Sequence, residues 1–81
     1  MFLEIVTPAK KVYEGEVKAV TFPGVDGSFQ VLNDHAPMVS SLAEGTVVYE
    51  NSKGKSEVVI TGGVVEVLNN KIVLLADGLA S

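Results

Sequence analysis

Residues 46–76 read TVVYENSKGKSEVVITGGVVEVLNNKIVLLA, and this stretch decides the fold. Two extended runs, residues 46–50 and 55–61, flank Asn51-Ser52-Lys53-Gly54, a hairpin tip at which Gly54 can take positive φ with little penalty. Two more runs, residues 64–68 and 71–76, are joined by Asn69-Asn70 alone. Asparagine tolerates the left-handed conformation, so this pair suits the two-residue type I′ turn of a tight hairpin. Residues 58–60 and 64–65 are apolar on successive positions, which implies burial on both faces, either between two sheets or beneath a partner.

The same punctuation continues outward. Residues 2–6 form an expected strand closed by Thr7-Pro8, and residues 12–22 a longer one in which Gly15 suggests a bulge. Residues 23–27 read as a turn, 28–32 as a strand, 33–37 as a loop and 38–42 as a further extended piece before a turn at Glu44-Gly45. No window sustains apolar spacing of three and four residues over the length of a helix. The expectation is an all-β chain, a small antiparallel β-sandwich of two packed sheets.

At 81 residues the chain allows one domain, residues 1–81. A chain this short buries only about 60–65% of its unfolded surface, so its core is thin and a partner would stabilise it. The net charge is -4, and all six basic residues are lysines. Without the bidentate guanidinium fork or a clustered positive field, nucleic-acid binding is excluded as an expectation. The cysteine count of 0 removes disulfides, thiolate nucleophiles and the usual zinc sites. Met1-Phe2-Leu3-Glu4 places an acid where a secretory leader needs basic and then apolar residues, and the longest clean apolar stretch, residues 72–76, is far below the roughly 18 needed to span a membrane. Membrane association is therefore expected only through a partner.

Candidate chemistry is sparse. His35 follows Asp34, with Ser40 and Ser41 nearby, but adjacent residues of an extended chain point opposite ways and no nucleophile elbow is present. Asp26, Asp34 and Asp77 are scattered singly and lack calcium-loop spacing. Glu14 and Glu16 share one strand face, most simply the solvated one, and Gly24, Gly27, Gly62 and Gly63 match no phosphate-cradling motif. Neither a catalytic residue nor a cofactor or metal site is expected. The loops at residues 23–27 and 35–38 combine proline, small residues and few charges, a composition that suits docking.

Three stretches together carry a family likeness over almost the whole chain: LEIVTP at residues 3–8; FPGVDGSFQVL at 22–32, continuing through His35-Ala36-Pro37 to Leu42 and Gly45; and GGVVEV at 62–67 with Asn70 and Leu75-Ala76-Asp77. In order and spacing they resemble the N-terminal domain of the epsilon subunit of F-type ATP synthase, called delta in mitochondria. The resemblance implies a ten-stranded β-sandwich in a non-catalytic central-stalk subunit, which binds the gamma shaft along one side and rests its lower loops on the c-ring. By position, it implies that Asp26, Gly27, Ser28, His35, Ala36 and Pro37 lie toward the ring and that Met38, Val39 and Leu42 lie toward gamma. It further implies a peripheral place on the cytoplasmic face of the bacterial inner membrane.

The sequence also departs from that pattern. Ser28 stands where the family commonly has an acid, Gln30 where it has glycine, and Asn33-Asp34 where it has Pro-Gly; a basic residue frequent within residues 47–49 is missing. The sequence stops at Ser81, where the family usually continues into a C-terminal helical hairpin, so neither the hairpin's inhibitory switch nor its ATP binding is expected of these residues. The competing reading from another class is a lipoyl or biotinyl carrier with Lys53 at its hairpin tip, although Ser52 and Gly54 match neither Asp-Lys-Ala nor Met-Lys-Met. A stand-alone peptide-binding sandwich that uses an open sheet edge is a third.

Overall fold

The computed structural model describes residues 1–80. Nine strands follow one another without a helix: β1 (Phe2–Val6), β2 (Lys11–Glu16), β3 (Ala19–Gly24), β4 (Gly27–Leu32), β5 (Met38–Leu42), β6 (Gly45–Asn51), β7 (Gly54–Ile60), β8 (Gly63–Leu68) and β9 (Lys71–Ala76). They form one curled sheet that doubles over on itself. Its first layer runs β2-β1-β9-β8-β5 and its second β4-β3-β6-β7, the two being continuous only through the pairing of Gly24 with Leu42.

Alternation builds the core. Leu3 and Ile5 of β1, Val65 and Val67 of β8, and Ile72, Leu74 and Ala76 of β9 turn inward from the first layer. Val20 and Phe22 of β3, Val31 of β4, Val47 and Tyr49 of β6, and Ile60 of β7 meet them from the second. The layers also touch through aromatic rings: Tyr13 of β2 lies 4.3 Å from Tyr49 of β6, centroid to centroid, and the Asn51 amide donates to the Tyr13 hydroxyl at 3.3 Å. No charged or polar residue is buried among the described residues.

Both expected hairpins form. Residues 45–51 pair with 54–60, the Lys53 amide donating to Asn51 Oδ1 at 2.9 Å to close the tip. Asn69 and Asn70 take φ of 52° and 62°, the left-handed pair that a type I′ turn demands.

Five expectations need correction. Residues 12–22 are two strands, because at Val17-Lys18 the chain crosses between layers: the Val17 amide donates to the Met1 carbonyl on one side, and the Lys18 amide to Glu50 on the other. The bulge falls at Val12, opposite the register shift between Ile5 and Val6, and not at Gly15. Gly15 instead leaves room for the Tyr13 ring, whose hydroxyl a Cβ there would meet at 2.8 Å. The turn after β3 is only Val25-Asp26, since β3 remains paired as far as Gly24. The sheet is not wholly antiparallel, because β1 and β9 run parallel from Phe2 opposite Lys71 to Val6 opposite Leu75. Against the ten strands implied by resemblance there are nine, with the tail adding only a single bridge from Leu79 to Ile60.

Candidate docking surface

The outer face of the first layer carries more exposed apolar area than strand alternation alone requires. The register aligns its outward side chains in rows across β5, β8, β9 and β1: Ser41, Val64, Leu75 and Val6; then Val39, Glu66, Val73 and Glu4; then Leu68, Lys71 and Phe2. Val39 is 68% exposed, Leu75 54%, Leu68 48% and Val64 40%. Single exposed apolar residues are ordinary, whereas a contiguous group on one sheet face marks a surface that a partner covers.

Two depressions open on this face. One, of ≈ 250 Å³, is lined by Pro37, Met38, Val39, Glu66, Val67 and Leu68. The other, of ≈ 320 Å³, lies at the opposite strand ends between Val6, Thr7, Pro8, Leu75, Ala76 and Asp77.

The charges on the face are unequally satisfied. Lys11 Nζ reaches Glu4 at 3.4 Å and Glu14 at 3.2 Å, and the hydrogen bond and charge of Glu14, reinforced by Glu4, hold the Lys11 ammonium above the ordinary lysine range. The Lys71 ammonium lies 5.9 Å from the centroid of the Phe2 ring. Glu66 makes no ion pair among the described residues.

The residues proposed from sequence fall into three places. Asp26 and Gly27 sit at one end of β4 with Ser28 just inside it, all exposed, where the Val25 amide donates to Ser41 and the Ala43 amide to Pro23. His35, Ala36 and Pro37 follow the other end of β4, roughly 17 Å away at about 3.3 Å per residue. A partner flat against one end of the strand would touch only one of these groups, and a partner lying along the strand would touch both. Val39 is the most exposed of the large apolar residues. Met38 is half-buried against the core, and Leu42, 5% exposed, belongs to the core itself and cannot be a contact residue. Positions 39 and 42 are an odd number of residues apart, so on one strand they face opposite ways.

The loop after β4 is pinned to the β8–β9 turn. Asn70 Oδ1 accepts the Asp34 amide at 2.9 Å, and Asn70 Nδ2 donates to Asn33 Oδ1 at 3.0 Å. Asn70→Ala should cost about 2 kcal/mol, from lost hydrogen bonds and from left-handed strain on alanine, while Asn70→Gly should recover the conformational part. Urea unfolding of the two variants side by side measures both contributions. The imidazole of His35 bonds through Nδ1 to the Ala36 carbonyl at 2.7 Å, and the Ser40 hydroxyl donates to Ser41 at 3.4 Å, so Asp34, His35 and the serines are not arranged as a relay. Among the described residues no three of His, Cys, Asp or Glu gather into a metal-holding group.

Val6, Val64, Glu66, Leu68, Val73 and Leu75 join this face in the structure and are not among the contacts expected from sequence. The signal was present in the successive apolar pairs such as Val64-Val65, where one residue fills the core and the other has nothing in this chain to cover it.

These features define a small β-sandwich domain whose first layer has an apolar outer face. The chain belongs to the ATP synthase delta/epsilon chain β-sandwich domain family, whose model matches residues 1–80. It is 42% identical over 76 residues to an ATP synthase epsilon chain of Helicobacter pylori, covering 94% of this chain and 62% of that one. To the ATP synthase epsilon chain of a Nitratiruptor species it is 46% identical over 77 residues, covering 94% and 60%. The chain thus spans about three-fifths of the length of these curated relatives. Among solved structures it resembles a chain of the Euglena gracilis mitochondrial ATP synthase OSCP/F1/c-ring complex, with a TM-score of 0.89, 25% identity and coverage of 96% and 51%. The fold also matches a chain of the Tetrahymena thermophila mitochondrial ATP synthase central stalk/c-ring, with a TM-score of 0.83, 18% identity and coverage of 99% and 65%. No helix among the described residues is long and apolar enough to cross a membrane.

Proposed function

We propose that residues 1–81 form one sandwich domain of a non-catalytic ATP synthase central-stalk subunit, which joins the gamma shaft to the c-ring and so couples proton flow to ATP synthesis. The observation that carries this reading is the apolar outer face of β5-β8-β9-β1 on a chain of the delta/epsilon family. Epsilon-chain relatives and the central-stalk and c-ring context of the similar folds support it. The carrier-domain alternative loses its ground, since the family match spans residues 1–80 and Ser52 and Gly54 beside Lys53 fit neither carrier motif.

Gamma would cover Val39 together with Val64, Val73 and Leu75. The ring would meet β4 along its length, from Asp26, Gly27 and Ser28 to the loop of His35, Ala36 and Pro37. The subunit would then be peripheral on the cytoplasmic face of the bacterial inner membrane, held there through the complex and binding no nucleotide in this domain.

The Pro37→Asp, Val39→Asp double variant tests the reading. Each carboxylate enters a contact that should be desolvated, costing on the order of 2–5 kcal/mol of association. In membranes assembled with the variant, ATP-driven proton pumping should fall relative to ATP hydrolysis and the subunit should wash off; pumping and retention at the unsubstituted level would refute the assignment.

A further inference from the structure

The outer face carries an acid that its own chain leaves unanswered. Glu66 and Glu4 flank Val73 in the register, about 10 Å apart at two strand spacings. Lys11 compensates Glu4, and the Lys71 ammonium is directed to the Phe2 ring, leaving Glu66 with Val39 and Val73 as its cross-strand neighbours and Leu68 beside it. The same carboxylate lines the ≈ 250 Å³ depression with Pro37, Met38, Val39 and Leu68. Covering such a face strips water from the carboxylate, and an unpaired buried charge costs far more than the surrounding apolar contact can return.

We propose that the partner covering this face presents an apolar surface with a lysine or arginine at its centre, and that this cation enters the depression and pairs with Glu66. The proposal rests on the reading of the outer face as the gamma-facing one, and it adds the chemistry of the partner there. An arginine would meet the carboxylate bidentately while its stem lies along Val39 and Leu68, so one side chain would serve both the charge and the apolar rim.

The test is the affinity of the full chain for the cognate gamma subunit, measured by calorimetry at low and at high salt. Glu66 is exposed in the free chain, so Glu66→Gln should leave folding intact, which circular dichroism checks. Glu66→Gln should weaken binding on the order of tenfold to a hundredfold and flatten its salt dependence, and Glu66→Lys should weaken it further. Glutamine binding as tightly as glutamate, with the same salt dependence, would overturn the pairing. Val64→Asp and Leu75→Asp separate this inference from the reading beneath it. If they abolish binding while Glu66→Gln does not affect it, the face is right and the cation is wrong. If they bind as the unsubstituted chain does, or if that chain does not bind gamma at all, the assignment of the face itself fails.

Discussion

Phe22→Ala is expected to leave the domain close to the point of unfolding. Phe22 is fully buried on β3, stacks in a tilted arrangement 5.6 Å from Phe29, and belongs to the cluster that joins the two layers. Truncating a buried phenylalanine costs about 3–5 kcal/mol through lost transfer energy and the cavity left behind. Domains are stable by only about 5–15 kcal/mol, and one this small sits at the low end of that range. Urea unfolding should show the midpoint collapse in Phe22→Ala and recover much of the way in Phe22→Leu, which retains most of the volume. A loss below about 1 kcal/mol would mean that the layers are held together elsewhere.

Gly63→Ala should be nearly as damaging for a different reason. Gly63 opens β8 with φ of 154°, and a Cβ on it would strike the Leu75 carbonyl oxygen and lie 2.9 Å from the Ala76 Cα. Both obstacles are backbone of β9, which is held between β8 and β1 and cannot rotate aside as a side chain would. Backbone strain and the forced displacement together should cost about 3 kcal/mol or more. Gly54 supplies the comparison, since its φ is 120° but a Cβ there meets nothing within 4 Å. Gly54→Ala should therefore show only the conformational part, about 1–2 kcal/mol. Thermal unfolding of both variants against the parent measures the difference, and equal losses would refute the role given to the β9 backbone.

What the sequence disclosed follows from how local each signal is. Asn69-Asn70 and Asn51-Ser52-Lys53-Gly54 carry their turn chemistry in two to four residues, so both hairpins were legible. The crossing at Val17-Lys18 was not, because the residues on either side of it are equally suited to strands and the break arises from which neighbours each half pairs with. The parallel pairing of β1 with β9 joins the two ends of the chain, from Phe2 to Lys71, and such a contact leaves no mark in any short window. At the candidate surface, loop composition drew attention to His35, Ala36 and Pro37, and Val39 stood beside them. Glu66 carries no such local signal, because Val65 and Val67 on either side have the alternation of any core strand, and its isolation emerges only once Val39, Val73 and Lys11 are placed around it.

The stalk assignment can be tested at single positions because residues 1–81 contain 0 cysteines, so an introduced cysteine is the only thiol within them. Leu75→Cys on the outer face of the first layer and Glu57→Cys on β7 of the second are both exposed in the free chain. Maleimide labelling of each variant, free and assembled into the ATP synthase, should find position 75 reactive when free and protected in the complex, with position 57 reactive in both. Equal labelling of position 75 in the two states would contradict the claim that gamma covers this face.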